Sequence, residues 1–423
     1  MPSTFTATTS NANAGPNANA GPHANAGVLA GVRVVEITEE PGQYTGKLFA
    51  DLGADVIKIE PLRGDSARGL GPFAHDIPGP NRSLRWWQFD SGKRSLALDL
   101  QSVDGGALLA RLIDGADIVL CSGRPAQLES LGAPWRGVGQ TGGPIVTTIT
   151  PYGWTGPKRD LPATDLIAQA DGGILYIAGF PGEQPTQVGG EIAYTHGSLH
   201  AAVATLMALW GRREGIPAQH IDISLQESVA ASVQPDINFW DLRGEVRARE
   251  PVSALRPGAG VYQALDGWVA IHTLPWYFDE AIAWLSDHGM AEELADPAWL
   301  DAVYRVEHGT EVNGFFTRLC ASLDKHTIAE EGQAHRVLVF PVFDALEVVS
   351  DEQVRSRDWL SDVEQPGAGE TAQHPGPPFR LSKEPWRMRQ GSPALGQHTT
   401  EILDELGLSA VEQAALAGAG VIA

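Results

Sequence analysis

Apolar and polar residues alternate in two rhythms along the first half of the chain. The runs VLAGVRVVEIT, ADVIKIE, RSLALDL, DIVL and GPIVTTIT are rich in β-branched or apolar residues and predict short strands. Between them, QYTGKLFADLG and DGGALLARLIDG carry apolar residues at the three- to four-residue spacing of helices. Strands that alternate with helices form βαβ units, so we expect an α/β fold around a parallel sheet.

A long helix is predicted over residues 198–213, SLHAAVATLMALWGRR. Four apolar side chains recur at helical spacing in it: Leu199, Val203, Leu206 and Trp210. This spacing favours an amphipathic or largely buried helix. Thr195 or Ser198 could cap its first turn.

A second, smaller domain is predicted to begin near residue 250. A Gly/Pro-rich segment there leads into GVYQALDGWVAI, which predicts a β-hairpin with Asp266 and Gly267 in its turn. From about 275 to 345 the pattern is helical, with one strand in VLVFPVFD. The Pro/Gly-rich passage QPGAGETAQHPGPPF predicts a linker, and two short helices are expected around Gly407.

Composition and charge narrow the possible partners. The chain has 423 residues, 43% of them hydrophobic, and a net charge of −22. This charge repels phosphate backbones and anionic membrane surfaces, so neither nucleic acid nor a membrane is expected as a partner. No run reaches the roughly 18 apolar residues that span a bilayer. Cys121 and Cys320 suit neither a zinc motif nor a disulfide framework, which fits a reducing cytoplasm.

The first strand leads into TEEPGQY instead of a glycine-rich phosphate loop. Neither the dinucleotide pattern G-x-G-x-x-G nor the mononucleotide pattern G-x-x-x-x-G-K-[ST] follows it. A nucleotide-type sheet without such a loop leaves the ligand open.

Several segments together resemble the family III CoA-transferases, the group that includes formyl-CoA transferase, carnitine CoA-transferase and α-methylacyl-CoA racemase. The matching pieces run in order from about residue 29 to the end of the chain. They include GVRVVEIT, LFADLGADVIKIEPLRGDSAR, SGKRSLALDL, YGWTGPKRDLPATDLIAQADGGI, ALWGRREG, HIDISLQES and LGQHTTEIL.

The resemblance implies a Rossmann-like large domain built from both chain ends, with a smaller α+β domain inserted between them. Ring-like subunits of this kind interlock as dimers. After a disordered tail at 1–27, which carries an imperfect NANAGP repeat, we expect the large domain at 28–235 and the small domain at 250–345. A linker at 346–390 would lead back to the large domain at 391–423.

The resemblance also implies the chemistry. In active members an aspartate attacks an acyl-CoA and forms a mixed anhydride, which divides one difficult step into easier ones. Alignment of ALWGRR places that position at Tyr194 in GGEIAYTHGSLH. A phenol with an ordinary pKa of about 10 does not readily form an acyl anhydride, so the usual nucleophile is missing.

Asp165, in ATDLIAQADGG, matches a second acidic position that family members keep near the nucleophile. It could be a supporting acid or a substitute nucleophile, or only a helix N-terminal cap. Racemases of the family pair a histidine with the later aspartate, and here those positions hold Thr164 and Tyr194. Racemisation by the family's mechanism is therefore not expected.

The expected CoA site is altered as well. Glu39 and Glu40 add negative charge beside an anionic substrate, and Ser130 stands where some members have a phosphate-binding arginine. Lys93 and Arg94 could bind phosphate or be ordinary exposed charges before a strand. The resemblance implies six CoA-contacting residues: Arg63, Arg68, Lys93, Arg94, Leu98 and Arg124.

Three functional hypotheses follow, all with CoA or acyl-CoA as substrate and no metal or nucleotide cofactor. The first, which the missing nucleophile favours, is a subunit of a heteromeric CoA-transferase whose paralogous partner supplies the aspartate. The second is a stand-alone, homodimeric CoA-transferase that uses Asp165 or Glu191 on small carboxylic acids. The third is an isomerase or lyase that uses Tyr194 and His196 as acid and base.

Overall fold

The structure, a computed structural model, describes residues 27–132, 137–140, 142–249, 256–383, 386, 388 and 390–423. The strands in this part of the chain are β1 (Arg33–Ile37), β2 (Asp55–Glu60), β3 (Arg94–Ala97), β4 (Ile118–Ser122), β5 (Ile145–Thr150), β6 (His220–Ser224), β7 (Gly260–Ala264), β8 (Gly267–His272), β9 (Leu338–Pro341), β10 (Leu360–Gln365) and β11 (Glu370–Pro375). Except for Gly27, the predicted tail lies outside the described residues, as does the predicted start of the small domain at residue 250.

The helices connect these strands along the described chain. They are α1 (Gln43–Asp51), α2 (Leu84–Phe89), α3 (Val103–Asp114), α4 (Pro125–Ser130), α5 (Asp165–Asp171), α6 (Ile174–Ile177), α7 (Ile192–Arg213), α8 (Leu225–Ala230), α9 (Gln234–Arg243), α10 (Phe278–Leu285), α11 (Ala302–Glu307), α12 (Gly309–Cys320), α13 (Lys325–Ala334), α14 (Ala345–Ser350), α15 (Glu352–Ser356), α16 (Thr399–Glu405) and α17 (Ala410–Gly418).

Strands β1 to β6 form one parallel sheet in the order β3-β2-β1-β4-β5-β6. This confirms the α/β fold that the alternating pattern predicts. The strand order reverses between β1 and β4, so successive units lie on opposite sides of β1. Such a reversal opens a crevice at the carboxyl edge of a parallel sheet.

Helices cover both faces of this sheet. Alternate strand residues point to opposite sides, so Val35 and Ile57 join one core cluster and Val34 and Val56 join another. Helices α3 and α16 pack in the first cluster, and α1 and α7 pack in the second. Burial on both faces explains why the strands are nearly continuous apolar runs.

The chain forms two compact units. The first combines the residues up to Ala168 with Gly190–Val229 and Leu360–Ala423. Within it, a residue near the C-terminus contacts the segment that follows β3: Ile422 forms an isolated antiparallel bridge with Leu98. The second unit contains Gln169–Gly189 and Ala230–Trp359.

The second unit has its own antiparallel sheet, in the order β7-β8-β9. The predicted hairpin is confirmed, but its turn lies one residue earlier than predicted: Ala264 pairs with Gly267, so Leu265 and Asp266 form the turn and Gly267 begins β8. The core of this unit is built around Trp284 and Phe316.

The Pro/Gly-rich passage predicted to be a linker contains an antiparallel hairpin, β10 and β11. Its buried face is mostly polar: Gln365 and His374 are hydrogen-bonded to each other, and Gln365 also accepts a hydrogen bond from the backbone N–H of Ser392. Because the polar side chains on this face form hydrogen bonds with one another, the two strands lack the alternation of apolar and polar residues that predicts a strand.

Helix α7 begins at Ile192, six residues before the predicted start, and it buries a different face from the one expected. Ala201, Ala202, Thr205 and Leu209 are buried, and the helix packs on α1 and β5. The large side chains at the predicted apolar positions are mostly outside: Leu199, Val203 and Trp210 are exposed. Among the described residues, no helix is long and apolar enough to cross a membrane.

Candidate functional site

A cleft of about 680 Å³ opens at the carboxyl edge of the parallel sheet. Its walls come from the segments that follow β1, β2, β3 and β4, and they include Thr38, Leu62, Leu98 and Ser122. It therefore lies where the strand order reverses, the usual ligand position in sheets of this kind. Its volume is within the range of small-molecule sites.

A second cavity, of about 250 Å³, adjoins this cleft. The two share Glu39, Ser122, Gly123 and Gln127 as wall residues. Tyr194 lines the smaller cavity and is not among the wall residues of the cleft. The position at which the resemblance expects a nucleophile therefore lies beside the cleft in which it expects CoA.

Tyr194 lies in the first turn of α7 and is only 9% exposed. Burial raises the pKa of its phenol to about 12, and the negative charge of Glu40 acts in the same direction, against a hydrogen bond with the backbone of Asp165. The phenol is therefore protonated at neutral pH. It is neutral and is a poor nucleophile in this form.

Asp165 is the first residue of α5, but it caps the N-terminus of α7. Its Oδ1 accepts hydrogen bonds from the backbone N–H groups of Ala193, at 2.9 Å, and Tyr194, at 3.2 Å. These two donors have no partner within the first turn of α7. Thr195 and Ser198, the predicted caps, are both inside the helix, so that prediction is wrong.

Replacing Asp165 by alanine is expected to lower the free energy of unfolding by about 1–2 kcal/mol, because two backbone donors lose a charged acceptor. Asp165→Asn keeps an acceptor oxygen in place and should cost less than half as much. Urea unfolding followed by circular dichroism measures both variants. Equal stability of Asp165→Ala and the parent chain would show that this cap is not important for the fold.

Glu191 immediately precedes α7 and adopts a left-handed backbone conformation, with φ of 50°. Its carboxylate forms an ion pair with Arg85 of α2, and the Arg85 guanidinium lies 5.0 Å from the Phe89 ring centre. Sequence reasoning missed Arg85, because 106 residues separate it from Glu191 and nothing in LRWWQF indicates an ion pair.

Glu40 is the second residue that sequence reasoning undervalued. It lines the smaller cavity together with Tyr194. Burial raises the pKa of its carboxyl, an effect that Arg85 opposes and that Asp65 and Glu39 reinforce. Glu39 and Glu40 directly follow the first predicted strand in the sequence, and this position alone indicates only repulsion of CoA.

Three of the six predicted CoA contacts are held in buried ion pairs. Arg68 binds both carboxylate oxygens of Glu60, at 2.6 and 2.8 Å, and is 2% exposed. Lys93 is fully buried. The guanidinium of Arg94 bonds to three carboxylates: Asp55, Glu401 and Glu405.

The partners of Lys93 form a buried charge cluster beneath the site. The Lys93 ammonium donates to Glu36 Oε1 at 2.9 Å, to Asp90 Oδ1 at 2.8 Å and to the Gln43 carbonyl at 2.9 Å. Lys58 forms ion pairs with Glu36 and Asp65 in the same cluster. We define the buried charge cluster as these five ionisable residues: Glu36, Lys58, Asp65, Asp90 and Lys93.

The other three predicted contacts do line cavities. Arg63 and Leu98 line the large cleft, and so does Ser130. Arg124 lines the smaller cavity, where its side chain reaches the Asp160 carbonyl and Gln127.

His196 lies one turn before His200 on α7, and burial together with His200 lowers its pKa. No group of three or more histidine, cysteine, aspartate or glutamate side chains in the described part of the chain is arranged to hold a metal ion.

Comparison with known proteins gives the family. The family model described as "CoA-transferase family III" matches residues 29–399. Succinyl-CoA:(R)-benzylsuccinate CoA-transferase subunit BbsE of Thauera aromatica is 34% identical over 389 residues, which cover 90% of this chain and 94% of the relative. The succinyl-CoA–D-citramalate CoA-transferase of Chloroflexus aurantiacus is 32% identical, and the aligned region covers 93% of this chain and 98% of the relative.

Solved structures share the fold. A CAIB/BAIF family protein from Brucella suis superposes with a TM-score of 0.78 at 24% identity, covering 90% of this chain and all of the other. Rv3272 from Mycobacterium tuberculosis superposes with a TM-score of 0.75 at 22% identity, and the match covers 89% of this chain and 99% of the other. The resemblance inferred from the sequence motifs is confirmed, and the chain belongs to CoA-transferase family III.

Proposed function

We propose that this chain is the subunit of a heteromeric CoA-transferase that lacks the nucleophilic aspartate. The assembly would move CoA between an acyl-CoA and a carboxylic acid in the cytoplasm, and a paralogous partner would supply the aspartate. One observation carries the proposal: the nucleophile position holds Tyr194, a buried phenol whose pKa is raised to about 12.

The state of the neighbouring carboxylates supports this. Asp165 is engaged by two backbone N–H groups, and Glu191 is paired with Arg85. Neither is free to attack a thioester without giving up its present partners. The hypotheses that use Asp165 or Glu191 as nucleophile are therefore the weaker ones.

Two relatives are named as subunits of CoA-transferases, which supports the proposal. BbsE is named as a subunit, and the succinyl-CoA–L-malate CoA-transferase β subunit of Chloroflexus aurantiacus is 31% identical to this chain over 387 residues. Enzymes named without subunits, such as the formyl-CoA:oxalate CoA-transferase of Streptomyces avermitilis, are also similar, at 28% identity.

A partner would also cover the exposed face of α7. We define the α7 stripe as Leu199, Val203, Met207 and Trp210, which are 40%, 58%, 70% and 67% exposed. Contiguous apolar surface of this kind usually marks an interface. We propose that the α7 stripe packs against the second subunit of an interlocked dimer, in which each chain carries the smaller unit as an inserted domain.

A second candidate is a stand-alone CoA-transferase that uses Glu40. The observation in its favour is that Glu40 lines the same cavity as Tyr194 and is partly desolvated. Its carboxylate would attack the thioester carbonyl carbon, and the carbon–sulfur bond of the tetrahedral adduct would then break, which releases CoA thiolate and leaves a mixed anhydride on Glu40.

One set of assays distinguishes the candidates. The chain alone is expected to show no CoA transfer between succinyl-CoA and an acid acceptor, and no inactivation by hydroxylamine. Co-expressed with a paralogue that has aspartate at the position of Tyr194, it should show hydroxylamine-sensitive transfer. That activity should be lost when the paralogue's aspartate is replaced by alanine and should persist with Tyr194→Phe in this chain.

Glu40→Gln and Asp165→Asn are the matched variants for the second candidate. Hydroxylamine-sensitive transfer by the lone chain that disappears in Glu40→Gln but survives in Asp165→Asn would establish the stand-alone enzyme. It would at the same time refute the subunit proposal.

A further inference from the structure

The antiparallel sheet of the second unit is apolar on both of its sides. Successive strand residues alternate between the sides, so Tyr262, Val269 and Val339 lie in the core of the unit and their neighbours point outward. We define the outer face as the eight outward residues: Val261, Gln263, Trp268, Ala270, His272, Leu338, Phe340 and Val342. Five of them are large and apolar and are 45% to 62% exposed. A sheet side that faces water is normally polar, so this face is expected to be covered by a partner.

The charged groups beside the outer face are separated by sign. At one end, His272 Nε2 accepts a hydrogen bond from Arg256 Nη1 at 2.8 Å, and Arg336 lines a groove along β8 and β9. At the other end, Asp266 lies in the turn between β7 and β8, and Asp344 follows β9. The eight residues of the outer face include no carboxylate.

Local ion pairs leave this separation in place. Glu280 lies 3.4 Å from Arg336 at the positive end, and Lys325 forms an ion pair with Glu347 at the negative end. Arg256 forms no ion pair with another residue in the described part of the chain. One end of the outer face therefore keeps an excess of positive charge and the other an excess of negative charge.

A second copy of the outer face is complementary in shape. The row Val261–Ala270–Phe340 crosses the middle of the three strands. A twofold axis along this row reverses the strands of the second copy and stacks the two sheets face to face. Ala270 is the small residue in the middle of the row, so the two sheets can approach closely there.

The same axis also makes the charges complementary. It places each end of one outer face over the opposite end of the other, so that Arg256 lies opposite Asp266 of the second copy. Arg336 and Asp344, which flank β9, are brought together in the same way. Each pair occurs twice because of the symmetry. A net charge of −22 opposes contact between two copies elsewhere on the surface, so a face without carboxylates is where they can meet.

We propose that the outer face binds the outer face of a second copy of this chain. The proposal goes beyond the proposed function, because it uses only residues of the second unit and needs neither the paralogue nor a substrate. In the heteromeric enzyme the α7 stripe would contact the paralogue, and the outer face would join two such assemblies.

Val261→Cys tests the position of the axis. Val261 would face its own equivalent in the second copy, across sheets about 10 Å apart, which a bismaleimide linker spans and a disulfide does not. Both native cysteines, Cys121 and Cys320, are buried. The purified variant should form a covalent dimer with the linker. Val103→Cys is the matched control and should not, since Val103 is 90% exposed on α3 of the first unit.

Val261→Asp tests the association itself. It would place two carboxylates on the axis and should weaken self-association at least about tenfold in sedimentation equilibrium, whereas Val103→Asp should leave it unchanged. Arg256→Gln should weaken self-association several-fold at low salt and by less at high salt, because salt screens the ion pairs that it removes. Circular dichroism checks that each variant is folded.

Equal cross-linking of Val261→Cys and Val103→Cys would overturn the proposal, and so would equal self-association of Val261→Asp and Val103→Asp. Cross-linking of Val261→Cys to a co-expressed paralogue instead of a second copy would overturn it as well. The cysteine variant is a small change, so its result holds even if Val261→Asp does not fold. Neither measurement involves CoA transfer, so failure here is distinguishable from failure of the subunit proposal.

Discussion

Lys93→Met is expected to lower the free energy of unfolding by about 3–5 kcal/mol, because it leaves the carboxylates of Glu36 and Asp90 buried with less positive charge. The lysine is fully buried and donates to both of them. One oxygen on each carboxylate, Glu36 Oε2 and Asp90 Oδ2, already has no hydrogen-bond partner.

Urea unfolding at neutral pH measures this effect as a lower midpoint at unchanged slope. Lys383→Met is the control, because Lys383 is exposed and its loss should change the midpoint little. The double variant Lys93→Met, Asp90→Asn should recover part of the loss, since it removes a stranded carboxylate as well. If Lys93→Met were as stable as Lys383→Met, the buried charge cluster would not be holding the fold together.

Asp90→Asn is expected to change how stability depends on pH. Burial raises the pKa of Asp90 from its usual 3.8 to about 6, against the attraction of Lys93 and Lys58 and with the help of Glu36. A raised pKa means that the folded state binds the proton more tightly. The stabilisation is therefore complete below about pH 4 and is lost as the pH rises through about 6.

The interval between these two pKa values corresponds to roughly 3 kcal/mol. Asparagine does not titrate, so the stability of Asp90→Asn relative to the parent chain should rise by up to that amount between about pH 4 and pH 7. Denaturant midpoints of both proteins across this range provide the measurement. A difference that stays constant with pH would show that Asp90 is not titrating in this range.

The sheet could be predicted from the sequence because its strands are buried on both faces. Val34 and Val35, for example, pack in core clusters on opposite faces of the sheet. Consecutive residues of the run VRVV are therefore both apolar. The position of Tyr194 could be inferred for a related reason, because a long apolar helix follows it and anchors the alignment. Local patterns were sufficient in both cases.

The buried face of α7 could not be predicted, because small residues form it. Ala201 and Ala202 let the helix approach the sheet closely, whereas the larger Val203 and Trp210 are exposed. The positions of the large apolar side chains therefore predict the wrong buried face of the helix. A rule that favours large apolar residues for the core fails when close packing needs small ones.

The site's ion pairs could not be predicted either, because their partners are distant in sequence. Arg94 is 307 residues from Glu401 and 311 residues from Glu405. A basic residue before a strand suggests phosphate binding until its carboxylate partners are known. The same holds for Asp165, whose acceptor role depends on a helix that begins 27 residues later.

The bridge between Leu98 and Ile422 has a consequence for biosynthesis. During translation Leu98, which follows β3, leaves the ribosome more than three hundred residues before Ile422, and α16, which carries Glu401 and Glu405, two of the three carboxylate partners of Arg94, also emerges late. Until then the part of the sheet face that α16 covers is open, and Arg94 lacks two of its three carboxylate partners. The large unit therefore cannot complete its core until these last residues have emerged, and the apolar surface left open during synthesis is prone to aggregation.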